Sequence, residues 1–194
     1  MNAIEQRLSH LKHRLHSAYD GIGHSYGRPY VYLVYDPDKE RELRRLVDQE
    51  LHNDAALTFF HLDLLPIILQ TTQGQEARRE ALLNDPLRSA EAARSLLRLW
   101  VRRLAQTIEE RVRQPRASGR PVVVLRGLAA LHPLGNPTAM MEELAEREPR
   151  DPATGQMVPV VVLVPGKRPP QTSREYLFLG QERLRQPFYR GEEA

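Results

Sequence analysis

Cysteine is missing from all 194 residues. Its absence excludes disulfides, thiolate nucleophiles and zinc sites built on thiolates, and it fits a reducing, cytoplasmic setting. No apolar run approaches the roughly 20 residues that a membrane-spanning helix needs. Met1 to Leu15 alternates charged residues with isolated leucines and has no apolar segment of secretory type. A cytoplasmic location away from the membrane is therefore expected. Lysine is scarce as well: of 28 basic residues, all but Lys12, Lys39 and Lys167 are arginine. Arginine suits planar recognition of phosphate and carboxylate. It is equally the product of compositional bias, and acidic residues are interspersed with it.

Catalytic signatures are also lacking. No Gly-x-x-x-x-Gly-Lys-Ser/Thr phosphate loop occurs, nor a Gly-x-Ser-x-Gly elbow, a His-Glu-x-x-His pair or a Gly-x-Gly-x-x-Gly turn after a strand. Gly21, Gly23 and Gly27 come before an apolar run instead of after one, so they read as a connection and not as a dinucleotide turn. No cofactor and no metal are expected, and no catalytic motif is found.

What is present is a repeated strand signal. Val158 to Gly166 is an uninterrupted apolar run, rich in β-branched residues and closed by Pro165-Gly166. Pro121 to Gly127 is its twin. Both read as strands buried on two faces. A helical pattern separates them, so they predict parallel neighbours joined by a crossover. Pro29 to Tyr35 and Thr58 to Leu62 read as two further strands. Between them, Asp36-Pro37 is a helix-start signal, and Leu43, Leu46, Val47 and Leu51 form a buried face. The segment 29–62 is thus a βαβ unit.

Residues 2–19 predict a helix with Ile4, Leu8, Leu11 and Leu15 as its stripe. His10, His13 and His16 on that helix read either as a metal or pH-sensing face or as solvated polar positions. Residues 63–114 read as long and helical, with Leu96, Trp100, Leu104, Ile108 and Val112 at intervals of four and Asp85-Pro86 as a second start signal. The opposite face carries Arg94, Arg98, Arg102, Arg103, Glu109, Glu110 and Arg113. It is a solvated face or a nucleic-acid face without aromatic interleaving. Asn136-Pro137 starts another helix, with Met140, Met141 and Leu144 inward. Tyr176 to Leu179 is a short edge strand or a helical turn, and the acidic residues after Arg190 read as a frayed end.

The expected fold is α/β: a three-layer sandwich around a mostly parallel sheet of four or five strands, resembling nucleotide-binding folds without the phosphate loop. One domain spans 1–194. It divides into an N-terminal helix and connection over 1–28, a sheet core over 29–180 with the long helices at 63–114, and a tail over 181–194. In such sheets ligands gather at the C-terminal strand ends. The rim candidates there are Asp36, Asp38, Glu40, His61, Asp63 and His132, as a metal-assisted phosphoryl site or as caps and ion pairs. Arg126, Lys167 and Arg168 share the rim. Tyr176, Phe188, Tyr189 and Arg190 are aromatic and arginine residues of the kind that anchor interfaces.

Several blocks resemble one family. Arg28 to Pro37 followed by Glu40 is similar to the RPxxYLxYDPxxE opening of the BrxB family of BREX bacteriophage-exclusion systems. Val122 to Pro133 resembles its strand, Arg-Gly, aliphatic and proline segment, and Val160 to Gly166 resembles its strand ending in Pro-Gly. Phe188-Tyr189-Arg190 is similar to its terminal aromatic-Tyr-Arg. The order and spacing cover nearly the whole chain. Val164 stands where the family usually has an aromatic, and Gly191-Glu192-Glu193 replaces the usual alanine and aromatic. The resemblance implies a non-catalytic adaptor in a phage-defence assembly, with other BREX proteins as partners, PglZ first among them. DNA contact through the complex or an arginine-rich face is a further expectation. The alternatives are a nucleic-acid-binding accessory and a degenerate nucleotide hydrolase or nuclease using Asp36, Asp38 and His61.

Overall fold

The computed structural model describes residues 3–23, 27–116, 119–170 and 174–194. Its elements in chain order are helix α1 (Ala3–Ser17), strand β1 (Tyr30–Tyr35), α2 (Glu40–Glu50), β2 (Leu57–Asp63), α3 (Leu64–Thr72), α4 (Glu76–Leu83) and α5 (Ser89–Arg113). Then follow β3 (Arg120–Arg126), α6 (Pro137–Leu144), β4 (Val160–Lys167), β5 (Glu175–Phe178), β6 (Arg185–Pro187) and β7 (Glu192–Glu193). The connection carrying the three glycines falls partly, and the loop after Lys167 ends, outside the described residues.

The valine-rich runs form adjacent parallel strands, with Val123 opposite Val160 and Leu125 opposite Val162. The main sheet runs β2-β3-β4-β1-β7, all parallel. β5 and β6 extend it antiparallel from β4. This is a three-layer α/β architecture on a mostly parallel sheet. β-branched side chains suit the pleat, and alternation sends successive residues to opposite layers. Tyr30, Tyr32 and Val34 of β1 enter one core with α3, α5 and α6. Val31, Leu33 and Tyr35 enter the other with α1 and α2. Residues 160–164 of β4 are fully buried. Each such side chain contributes about 1.5–3 kcal/mol by leaving water.

The βαβ segment at 29–62 is present, but its strands are not neighbours: β3 and β4 lie between β1 and β2. The chain crosses to the far edge on the α2 side, then returns strand by strand with α3–α6 on the opposite face. Opposite travel with helices on opposite faces is what right-handed crossovers require.

The stretch 63–114 is helical as expected and divides into three helices, the last of them following the start signal at Asp85-Pro86. Gly74 adopts φ +79, a conformation that favours glycine, between α3 and α4. Asn84 to Arg88 then turns the chain, with the Asp85 carboxylate accepting from Leu87 N at 2.9 Å. The C-terminal residues are not frayed. Glu192 and Glu193 pair with Val31 and Tyr32 as β7. Arg14 binds Glu192, Arg7 lies 3.7 Å from Glu193, and Ala194 N donates to Tyr32 O at 2.9 Å. A charged two-residue strand is held by arginines from α1, not by its own propensity.

Candidate functional site

The chain leaves β1 toward the α2 layer and leaves β3 toward the α6 layer. The strand ends between them therefore form the switch point where open α/β sheets bind ligands. Asp36 closes β1, and its carboxylate accepts from Asp38 N at 3.2 Å. That bond caps the short turn Pro37–Lys39, which feeds α2. A phosphate cradle needs free backbone N–H groups at a helix start. Here Pro37 has none, and Glu40 and Glu42 fill the first turn of α2. The helix dipole is thus answered by the chain's own carboxylates.

Behind this turn lies a closed polar network. Tyr35 donates to Glu40, Glu40 pairs with Arg44 at 2.6 Å, and Arg44 binds Asp63. Asp63 also caps α3 by accepting from Leu65 N at 3.1 Å. Burial lowers the Arg44 proton affinity, but its hydrogen bonds to Asp63 and Glu40 outweigh that and raise it. Burial, then the bond to Glu40, pushes the Tyr35 phenol up. Gly127, at φ +73, abuts Asp63, so a β-carbon there would strike the carboxylate. Arg126 reaches Asp48 at 2.7 Å, and Lys167 lies 3.5 Å from Asp36. The arrangement is a set of caps and ion pairs, each charge answered within the fold. Only Asp38 stands exposed beside it with no ion-pair partner among the described residues.

The two histidines are not brought together. His61 faces the α2 layer, where its Nε2 donates to Leu51 O at 2.8 Å and its Nδ1 is buried without a hydrogen-bond partner among the described residues. Burial holds this imidazole below its ordinary value. His132 lies on the other face, edge-on to Phe178 with ring centres 6.4 Å apart. Asp36 and His61 sit on strands three spacings apart, about 14 Å. The trio Asp36, Asp38 and His61 therefore does not converge. Among the described residues no cluster of three acidic or histidine groups is placed to hold a metal.

The aromatic anchors need correction. Tyr176 is fully buried, and its hydroxyl accepts from Thr138 N at 3.2 Å. Phe188 is buried too and stacks on Tyr176 with centres 5.1 Å apart. The hairpin of β5 and β6 folds them inward, so they hold the core and present nothing to a partner. Arg168 is also engaged internally: it donates to Glu175 O at 2.6 Å and lies 3.0 Å from Glu193. Tyr189 is half-buried, its carbonyl accepting from Tyr32 OH at 2.5 Å, and only Arg190 is exposed.

Two features escaped the sequence reading. Arg44, the hub of the network, was readable as an i,i+4 partner of Glu40. Beside it lies a shallow apolar pocket of about 290 Å³, lined by Pro37, Leu65, Ala129, Ala130, Pro165 and Leu179. Leu65 remains 49% exposed there. The arrangement can seat an apolar side chain against a charged edge. On α5, Arg98 lies 3.3 Å from Glu143, Arg113 3.4 Å from Glu109 and Arg103 3.8 Å from Glu110, which dilutes its positive face.

No family model, no curated protein and no solved structure matches the chain. No helix among the described residues is long and apolar enough to cross a membrane.

Proposed function

We propose that the chain is a non-catalytic adaptor subunit of a BREX phage-exclusion assembly, working in the cytoplasm, with PglZ as its direct partner. The observation that supports this reading is where the family-like blocks fall. Those at 28–37, 122–133 and 160–166 form three adjacent strands, β1, β4 and β3, and the turns after them. Sequence resemblance scattered over the chain thus gathers on one rim. The acid-filled start of α2 supports protein contact over phosphate chemistry at that rim. The exposed part of the rim, with Leu65, Lys167 and Asp38, takes over the role first expected of Tyr176 and Phe188.

Affinity purification of the tagged chain, co-expressed with its operon neighbours, tests the proposal. Recovery of BREX proteins, PglZ in the highest yield, is expected; recovery of none overturns it. The carboxylates interleaved on α5 weigh against a nucleic-acid accessory. Duplex DNA binding that weakens steeply with salt would reinstate it.

A further inference from the structure

α5 carries two apolar stripes. The long one faces the sheet and is buried. The short one, Ala92, Leu96 and Leu99 at i, i+4 and i+7, faces α4. It forms the floor of a groove of about 550 Å³ whose far wall includes Leu82. Leu99 is 40% exposed, and at the turn before α5 Leu87 is 95% exposed. The groove follows α5 from Arg88 to Leu99, about 16 Å or three helical turns.

Its wall is lightly held. α4 is eight residues long and has no buried residue. A helix of that length is marginal by itself and depends on what it packs against. Here Leu82 and Leu83 are only half-covered by α5. The rim is cationic: Arg78, Arg79 and Arg88 line it against a single acid, Glu91. Arg79 gives its hydrogen bonds to neutral carbonyls, Thr72 O at 2.9 Å among them, and the exposed Glu76 carboxylate offsets its charge only in part. Arg88 lies 3.8 Å from Asp85 and is 70% exposed, which offsets little. Arg78 has no ion-pair partner among the described residues and points to solvent.

We infer that this groove docks an acidic amphipathic helix of a partner protein, about three turns long. Its leucine-type side chains would sit on Leu96, Leu99 and Leu82, and its carboxylates would meet Arg78, Arg79 and Arg88. The shape is that of helix-in-groove recognition, in which i, i+3, i+4 and i+7 side chains anchor. The charges select an acidic segment and speed its arrival. The inference rests on the adaptor reading only in requiring a partner, whichever protein that is.

The test places a photoreactive p-benzoylphenylalanine at Leu99 of the full chain in its native host. The same substitution at His13 on α1, an exposed position outside the groove, is the control. Cross-linked peptides are sequenced by mass spectrometry. The expected adducts at position 99 map to a net-negative segment with helical apolar spacing. Arg78→Glu with Arg88→Glu should lower their yield at least tenfold without moving the thermal midpoint.

No polypeptide adduct above the control overturns the inference. So do adducts on basic or non-periodic segments, on nucleic acid, or on a second copy of this chain, and so does a yield unchanged by the charge reversals. Should BREX proteins co-purify while the double variant still retains them, the groove fails and the adaptor reading stands. Should the acidic segment belong to an unrelated protein, the groove stands and the BREX reading fails.

Discussion

The two layers that flank the sheet dispose of their side chains in opposite ways. On the α1–α2 side, charge is closed inward: Arg44 joins Glu40 to Asp63, Arg126 meets Asp48, and α1 clasps β7. On the α3–α5 side, apolar side chains stay outward: Leu65, Leu69, Leu87 and Leu99 are all exposed. The first layer is finished by itself. The second has surface to spare, and most of its arginines are on or near that surface. The difference teaches that a charged residue count does not locate a binding face. What locates it is where charges are left unanswered beside uncovered leucine.

The sharpest way to break the comparison is to damage the core under the α3–α6 layer. Phe178 is 1% exposed beneath the β5–β6 hairpin. Phe178→Ala should cost about 3–5 kcal/mol in chemical denaturation through lost burial and the cavity left behind. A loss below 1 kcal/mol would mean the hairpin is not part of the folded unit.

Next comes Arg44→Ala, which leaves the Glu40 and Asp63 carboxylates facing each other. Hydrogen bonds to charged groups are worth more than neutral ones, but this network is about one-third exposed and partly screened. A loss of about 1–2 kcal/mol is expected, shrinking in high salt. Salt-independence would show that the α1–α2 side is not held by charge as described.

Smaller still is a pH effect on the same side. The His61 imidazole is held below its ordinary value of 6.5 by burial, so the unfolded chain takes up its proton first as pH falls. Its contribution to stability is complete above 6.5. It is lost as pH drops from there through the folded value, by up to about 1.4 kcal/mol per pH unit. His61→Gln should flatten that part of the stability profile measured by denaturant titration; an unchanged slope would assign the effect to another group.

The smallest effect sharpens the contrast. Leu69 is 59% exposed on α3. Leu69→Gln should change stability by less than about 0.5 kcal/mol. A larger loss would show that the outward leucines of this layer do pack.

Much of this plan was legible in the residues. β3 and β4 announced themselves because strands buried on both faces need no polar alternation. The buried stripes of α1 and α5 were legible because each residue's face follows from its spacing. Strand order was not legible, since β1 and β2 read as a compact βαβ segment whether or not other strands intervene. β7 was invisible because two glutamates have no strand propensity; Arg7, Arg14 and Arg168, all distant in sequence, hold them in place. Tyr176 and Phe188 beside arginines looked like surface anchors. Their burial depends on the fold of a hairpin that no local pattern specifies. At the rim the residue types were legible, but which carboxylate each arginine reaches is a matter of three-dimensional register.

β1 has a consequence for how the chain is made. Tyr30 pairs with Val160 on one side, and Val31 pairs with Glu192 on the other. Translation at roughly 5–20 residues per second leaves this central strand alone for on the order of 10 s or more before either neighbour exists. Folding must wait for contacts across most of the chain, which makes it slow and leaves a sticky, tyrosine-rich edge open on the ribosome.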